Sequence, residues 1–135
     1  MAMEEDLIAR LTASAGIAAL CGARVAWFGR PRGDGYPCLI LSTIDPGREY
    51  THGGADGLDG PRVQFDCYAA TDIGAIALKR AVLAEMEASA TVGDTVFHNG
   101  FLESEATFDE GEQDGGGSLF RVSQDFTFYH EETAP

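Results

Sequence analysis

The sequence predicts an α+β domain, with a mostly antiparallel β-sheet and two α-helices packed on one face of it. Several runs alternate apolar and polar residues, as half-buried strands do, and Gly- and Pro-rich segments separate these runs. Two other runs repeat their apolar residues every three or four positions, as amphipathic helices do. We expect one domain over residues 1–135, with a disordered polar tail at about 131–135.

The strongest local pattern covers residues 62–87. It begins as a strand in which Val63, Phe65 and Cys67 share one face, and Thr71 or Asp72 can then cap a helix of about four turns. The apolar positions of that helix are Ile73, Ile76, Ala77, Leu83 and Ala84. We expect this helix to pack on the inward face of the strand, and neither segment carries catalytic chemistry.

The remaining elements are predicted from the same two patterns, alternation of apolar residues for strands and their spacing by three or four for helices. They are a helix over 3–20, strands over 24–28, 37–44, 48–51, 95–97, 101–108 and 120–129, and loops over 29–36, 52–60 and 109–118. Gly22 is placed to end the first helix in a left-handed conformation. The strand after Pro37 is continuously apolar through Leu41, which favours an inner position in the sheet. After His130 we expect only a frayed tail.

The net charge of −13 limits the function classes. Nine basic residues stand against 22 acidic ones, whereas nucleic-acid binders and proteins of anionic membrane surfaces need a basic face. No apolar run approaches the roughly 18 residues of a membrane span. The first residues, MAMEEDLIARL, do not resemble a signal peptide. We therefore expect synthesis in the cytoplasm and no membrane partner.

The motifs of common catalytic sites are missing from the sequence. No phosphate-binding loop, dinucleotide fingerprint, nucleophile elbow or HExxH motif is present. Cys21, Cys38 and Cys67 lack the close pairing of zinc ligands and are expected to be buried, reduced thiols. The three histidines, His52, His98 and His130, are expected at the surface. The protein is therefore predicted not to be an enzyme and to need no cofactor and no metal.

Two acidic loops leave one alternative open. Calcium favours carboxylates clustered on flexible loops, although neither loop has the EF-hand pattern. The acidic residues are Asp56 and Asp59 in one loop, and Asp109, Glu110, Glu112 and Asp114 in the other. The alternative function is a small cytosolic α+β domain that binds a ligand or metal as a dimer. Cys67 with a distant histidine would then be a candidate nucleophile and base.

The sequence also offers residues typical of protein interfaces. Trp27 and Phe28 lead into a loop with Arg30 and Arg32, and tryptophan, tyrosine and arginine are enriched at interface hot spots. The candidate interface residues are Trp27, Arg30, Arg32, Arg48, Tyr50, Asp109, Glu112, Arg121 and Tyr129.

The order of segments resembles a known family. A short helix ends in AGIAALCGARV (15–25), and Tyr36-Pro37 opens an apolar strand. RVQFDCYA (62–69) precedes a helix, and FRVSQDF (120–126) precedes the ending at His130-Glu131. Over nearly the whole chain this order is similar to that of the tail terminator family. These are small tail-completion and head-tail joining proteins of long-tailed bacteriophages and gene transfer agents.

The resemblance implies a structural virion protein at the tail-neck junction. Such a protein forms a ring, commonly a homo-hexamer, that caps the tail tube, ends its polymerisation and joins the tail to the head or neck. The implied partners are other copies of the chain, the tail tube protein and a neck or head-completion protein, with DNA passing through the lumen without specific binding. Sheet edges and the last strand would form the ring, and loops 29–36, 45–60 and 109–118 would contact tube or neck. A head-tail adaptor or a tail tube subunit is the alternative within this class.

Overall fold

The computed structural model describes residues 3–29, 35–48, 50–51, 54–55, 58–113 and 117–132. Its helices are α1 (Met3–Ala13), α2 (Ala15–Cys21) and α3 (Asp72–Glu87). Its strands are β1 (Val25–Trp27), β2 (Cys38–Asp45), β3 (Tyr50–Thr51), β4 (Gly54–Ala55), β5 (Leu58–Asp59), β6 (Arg62–Ala69), β7 (Ala90–Val92), β8 (Thr95–Phe97), β9 (Phe101–Glu112), β10 (Ser118–Thr127) and β11 (His130–Glu132).

The strands form three sheets rather than one. The largest has the order β1-β2-β6-β10-β9, and of its neighbouring pairs only β1 and β2 are parallel. A second sheet has the order β5-β11-β8-β7, and β3 pairs with β4 in a small third sheet. The predicted α+β class with mostly antiparallel strands is confirmed.

Strand β6 lies in the middle of the largest sheet, as its pattern predicts. Val63, Phe65 and Cys67 are fully buried on the face that the helices cover. Phe65 meets Phe126 of β10 edge to face, with ring centroids 5.3 Å apart. Such a contact adds to the hydrophobic stabilisation of two already buried rings. Strand β2 is also an inner strand, as expected.

Helix α3 packs with a different face from the predicted one. Its buried residues are Ala75, Leu78, Val82 and Met86, whereas Ile73 is 71% exposed and Ile76 and Leu83 are half-buried. Successive residues are about 100° apart on a helix, so Ile73 lies on nearly the opposite side from Ala75. Apolar residues surround much of this helix, and the pattern alone could not select the packed side. The predicted cap is correct, since the Thr71 hydroxyl accepts from the Gly74 amide at 3.0 Å.

The first predicted helix is two helices. It breaks at Ser14, whose backbone is extended and whose hydroxyl accepts from the amide of Ile17 at 3.4 Å. This bond caps α2, which ends at Gly22 with the predicted positive φ, +55°. The change of direction at Ser14 explains why three helices are present where two were predicted.

Arg10 joins α1 to the end of α3. Its Nε donates to the Glu85 carboxylate at 2.7 Å, and its Nη2 donates to the carbonyls of Glu85 and Ala88. The guanidinium also lies 5.4 Å from the centroid of the Phe97 ring. Because α3 has no basic residue in its last turn, Arg10 supplies the positive charge that a helix C-terminus favours.

The chain after Thr127 is more ordered than predicted. The last long strand is confirmed as β10, but His130 then begins β11, which pairs with β5 and β8. Glu131 and Glu132 therefore belong to a sheet, where a frayed tail was expected. Strand β7 and the two-residue strands β4 and β5 were also not predicted. Within the described residues, no helix is both long enough and apolar enough to cross a bilayer.

Candidate assembly surface

Strand β9 is the most exposed element of the fold. All twelve of its residues are exposed, including the large apolar side chains of Phe101, Leu102 and Phe108 at 60%, 38% and 42%. It pairs with β10 on one side, and no strand of the described chain pairs with its other side. Residues 101–108 were predicted as strand and residues 109–112 as part of the hairpin loop next to it, but neither prediction included such complete exposure.

An irregularity in β9 changes which side chains share a face. Strict alternation along this strand would place Leu102, Ala106 and Phe108 on one face. The register between β9 and β10 shifts between Asp125 and Phe126, which places Leu102 beside the inward residue Phe126. Phe108 lies on the other face, where it faces Arg121, so Leu102 and Phe108 do not share a face.

The sheet face opposite the helices carries an ionic cluster around Arg121. Its guanidinium pairs with Glu110 at 2.6 Å and with Asp66 at 3.2 Å, and lies 4.2 Å from the centroid of the Phe108 ring. Burial opposes the charge of this guanidinium, but the two carboxylates raise the pKa of Arg121 above its ordinary value. The cluster fixes the outer end of the β9–β10 hairpin to β6.

A groove lies between α3 and the β9–β10 hairpin. Its volume is about 290 Å³. Asp72 and Asp109 are among the residues that line it, together with Ala75, Ile76, Thr107, Phe108, Phe120, Arg121 and Val122. The lining is thus mainly apolar with charged residues beside it, the composition of a site that accepts an apolar side chain.

An exposed aromatic residue follows β1, the strand at the opposite edge of the large sheet. Phe28 follows β1, is 77% exposed, and has a φ of +71°. Its amide donates to the carbonyl of Leu41 at 2.9 Å, which fixes the backbone there. The preceding Trp27 is half-buried, and its indole N–H donates to the carbonyl of Glu4 at 3.0 Å.

The predicted interface residues in the first half of the chain are dispersed. Trp27 anchors β1 to α1, as just described, and Arg48 is exposed in the loop after β2. Arg30 and Arg32 lie outside the described residues. Tyr50 belongs to β3, but its side chain also lies outside the description.

The predicted residues in the second half are closer together. Asp109 and Arg121 both line the groove, and Glu112 is the last residue of β9. Tyr129 is exposed between β10 and β11, and its carbonyl accepts from the amide of His98 at 2.9 Å. Trp27 lies on the opposite edge of the sheet from this group.

The structure adds two apolar features that the sequence predictions did not select. Phe28 was noted only as part of an aromatic pair, and Ile73 was expected in the core. A positive φ is set by the tertiary fold, so no sequence signal could have shown it at Phe28. The exposure of Ile73 could have been suspected, because Ile73 lies in the first turn of α3, two residues after the capping residue Thr71.

The cysteines and the two histidines that the structure describes show no arrangement for catalysis. All three cysteines are buried and outside disulfides, and burial raises the pKa of the Cys67 thiol well above its ordinary value, which suppresses the nucleophilic thiolate. His98 is exposed beside Glu131, with a ring nitrogen 3.0 Å from the carboxylate. His130 is half-buried, contrary to its predicted surface position. His52, Asp56 and Asp114 lie outside the described residues.

Metal ligands are not grouped in the part of the chain that the structure describes, where no three His, Cys, Asp or Glu residues could hold one ion. The main surface features of this part of the chain are an unpaired strand edge, an exposed aromatic ring and an apolar groove. These are features of a protein that assembles with other chains.

The comparison with family models identifies that class more closely. Residues 5–131 match the model described as tail completion protein gp17. The match covers most of the chain, so the protein belongs to this family of phage tail completion proteins. It is accordingly a structural virion protein of the tail or neck.

One solved structure supports the fold. A chain in the virion of a native gene transfer agent particle is 19% identical, with a TM-score of 0.68. The match covers 96% of this chain and 95% of that one. No curated protein sequence matches the chain.

Proposed function

We propose that copies of this protein close into a ring that caps the tail tube, ends its polymerisation and joins the tail to the head or neck. The ring is expected to be a hexamer, located at the tail-neck junction of the virion after synthesis in the bacterial cytoplasm. Membership of a tail completion family supports a role at this stage of assembly. The observation that carries the ring is the exposed edge of β9.

Strand β9 is difficult to account for in a chain that acts alone. A long edge strand presents a row of unpaired backbone groups, and apolar side chains on it add an aggregation hazard. Here that edge runs over 12 residues and includes exposed phenylalanines at positions 101 and 108. Contact with a partner in the assembled particle would remove both liabilities.

The two edges of the large sheet are suited to head-to-tail contact. A closed ring with one repeated contact needs two different surfaces on every subunit. One edge here is β9, and the other is the three-residue β1. Charge repulsion disfavours the pairing of one β9 strand with another, because each carries five acidic residues and no basic one. These residues are Glu103, Glu105, Asp109, Glu110 and Glu112.

The contacts with tube and neck are assigned to the loops. Loops 29–36, 45–60 and 109–118 supply them in this proposal, through Arg30, Arg32, Arg48, Tyr50, Glu112 and other residues of the predicted interface set. A six-membered ring of chains that each carry −13 has a formal charge of −78. An acidic lumen would repel DNA, so DNA would pass without specific binding. A ring with a basic channel and its acidic residues outside would contradict this point.

The function is tested in cells that produce the particle but lack this protein. We expect overlong tails, or heads and tails that remain unjoined, when particles are viewed by electron microscopy. Supplying the wild-type chain from a second gene copy should restore joined particles of normal tail length. Joined particles with normal tails in the absence of the protein would overturn the proposal.

The alternatives within the same class give different outcomes. Native mass spectrometry of the assembled protein should show one ring of fixed size. A tail tube subunit would instead give open polymers with no upper limit. A head-tail adaptor would leave tails of normal length that fail to join heads when the protein is absent.

A further inference from the structure

Phe28 combines two unfavourable features in the isolated chain. A bulky side chain rarely adopts a positive φ, because its Cβ then crowds the following carbonyl group. Phe28 has a φ of +71° and also exposes most of its ring to solvent. Residues held in such conformations tend to cluster at functional sites, where the surrounding structure maintains them. The bond from its amide to Leu41 is part of that support.

The groove between α3 and the β9–β10 hairpin has the size and composition to accept an exposed aromatic ring. Its floor is apolar, with Ala75, Ile76 and Val122 among the lining residues, and its volume is about 290 Å³. Ile73, whose side chain is exposed, is the second residue of the same helix and follows the lining residue Asp72. An aromatic ring is the side chain that gains most from such a site, since it can remove roughly 150–250 Å² from water.

Phe28 cannot fill the groove of its own chain. It follows β1, and the groove is lined by β9 and β10, at the other edge of the same sheet. Four spacings of about 4.8 Å, roughly 19 Å in total, separate the first and fifth strands of a sheet. The phenyl ring of one copy can therefore reach only the groove of another copy.

The charges along the sequence agree with this pairing. Residues 22–36 contain three arginines and one aspartate, a net charge of +2. Residues 101–118 contain six acidic residues and no basic one, a net charge of −6. The groove itself is lined by two carboxylates, Asp72 and Asp109, and one guanidinium, Arg121, which leaves a net charge of −1 there. Attraction between unlike segments favours Phe28 facing the groove and disfavours groove facing groove.

We infer that the side chain of Phe28 enters the groove between α3 and β9–β10 of a second copy of this chain. The inference rests on the proposed ring and names the two surfaces that join in it. One contact of this kind leaves a free groove on one subunit and a free Phe28 on the other. Repetition of the contact therefore continues until the ring closes.

A photo-crosslinker at position 28 tests the contact directly. Phe28 is replaced by p-benzoylphenylalanine, and the variant is irradiated both as concentrated purified protein and within purified particles. We expect covalent dimers and higher oligomers of this chain, with the adduct mapped to peptides from α3 or β10. The matched control carries the same crosslinker at Ile44, another exposed apolar position, on β2.

Three results would overturn the inference. These are adducts to another virion protein instead of this chain, adducts spread over the surface as widely as those from position 44, and no oligomer in either sample. Each can be distinguished by mass spectrometry of the digested adducts.

A second variant tests the direction of the contact. Ile73→Lys places a positive charge next in sequence to Asp72 and about one helical turn before Ile76, two residues that line the groove. The new charge would repel the basic segment around Phe28, and the position is exposed, where folding tolerates it. In a chain with the crosslinker at position 28, this change should lower adduct yield at least tenfold. Adding a mass-labelled Phe28→Ala chain, which keeps its groove, should restore adducts between the two different chains. Failure of that restoration would contradict a head-to-tail contact.

The outcomes also separate this contact from the proposed function. Groove adducts from a protein whose absence leaves tails normal would retain the contact and remove the terminator role. Overlong or unjoined tails, together with the absence of groove adducts, would retain the role and remove the contact.

Discussion

Arg10 is a buried charged side chain that connects the first helix to the end of α3. It is buried together with Phe97, and two carbonyl groups near the end of α3 accept its hydrogen bonds, in addition to the Glu85 carboxylate. One nitrogen, Nη1, has no partner among the described residues. Planar geometry lets arginine bind several acceptors at once, which lysine cannot reproduce.

We expect Arg10→Ala to lower the free energy of unfolding by about 3 kcal/mol. The loss arises because the Glu85 carboxylate and the carbonyls at the end of α3 lose their partner. Urea denaturation followed by circular dichroism measures it. Arg80→Ala is the matched control, since Arg80 is an exposed arginine on α3 and should change stability by less than about 0.5 kcal/mol. Equal effects of the two substitutions would contradict the role of Arg10.

Phe28→Gly separates folding from assembly. Glycine relieves the strain of a positive φ, worth about 1–2 kcal/mol, but it costs about 0.5–1 kcal/mol in backbone entropy. We therefore expect the free energy of unfolding to be unchanged or up to about 1.5 kcal/mol higher, while assembly into rings is lost. The first is measured by urea denaturation and the second by native mass spectrometry of assembled material.

The control for this prediction is Phe101→Gly. Phe101 is also an exposed phenylalanine, but it begins strand β9 and does not have a positive φ. Glycine there should destabilise the chain by about 0.5–1 kcal/mol, the usual cost in a strand. A clear loss of stability in Phe28→Gly would show that the ring of Phe28 already packs within the isolated chain.

Among the elements, the four-stranded sheet contains a half-buried histidine. His130 of β11 pairs with Phe97 of β8 and with Asp59 of β5. The centroid of its ring lies 6.1 Å from the centroid of the Phe128 ring. Burial lowers the pKa of His130 below 6.5, although Asp59 and other nearby carboxylates partly oppose this shift.

This lowered pKa predicts how stability depends on pH. The unfolded chain binds a proton at His130 more readily than the folded chain does, so acidification favours unfolding. The contribution of the neutral ring is fully present above pH 6.5 and is lost as the pH falls below 6.5 towards the folded pKa. Denaturation midpoints between pH 5 and 8 should fall more steeply in the wild type than in His130→Gln. Parallel curves for the two proteins would contradict the prediction.

The elements also show which structure could be predicted from this sequence. Strands β6 and β10 were predicted well, because each is long and keeps one face in the core. The buried face of α3 was not, because apolar residues occupy more than one side of it, and packing selected Ala75 and Leu78 over Ile73. Strand β11 was missed since three polar residues carry no periodic signal, and their pairing with β8 is a long-range event.

The candidate surface was predictable to a smaller extent. Aromatic and arginine residues directed attention to the region around Trp27 and to Arg121, and their role at an interface stays a prediction. The groove itself depends on how α3 lies against β9 and β10, which no local pattern encodes. The exposure of β9 was equally hidden, because alternating apolar residues normally indicate a buried face.

At the scale of the whole molecule, one hydrophobic core connects the elements. It contains residues from all three helices and from the large sheet, and Phe97 of the second sheet belongs to it too. Sharing one core, the two larger sheets cannot separate without exposing these residues to water.

We therefore expect a single cooperative unfolding transition. The chain has one tryptophan, Trp27, whose fluorescence reports on the β1 edge, whereas far-ultraviolet circular dichroism reports mainly on the helices. The two signals should give the same urea midpoint and the same dependence on urea. Arg10→Ala should move both midpoints together. Separate midpoints would show that the β1 edge opens independently of the core.

The central place of β10 affects when the protein can fold during synthesis. This strand lies between β6 and β9 in the sheet but is the last long strand to leave the ribosome. A chain interrupted before Ser118 has an open gap where β10 belongs and lacks Phe120 and Val122, two of the residues that line the groove. Phe28, by contrast, is made early. The acceptor groove is therefore complete only in chains that extend past Val122, so a growing ring would not extend from a subunit truncated before this residue.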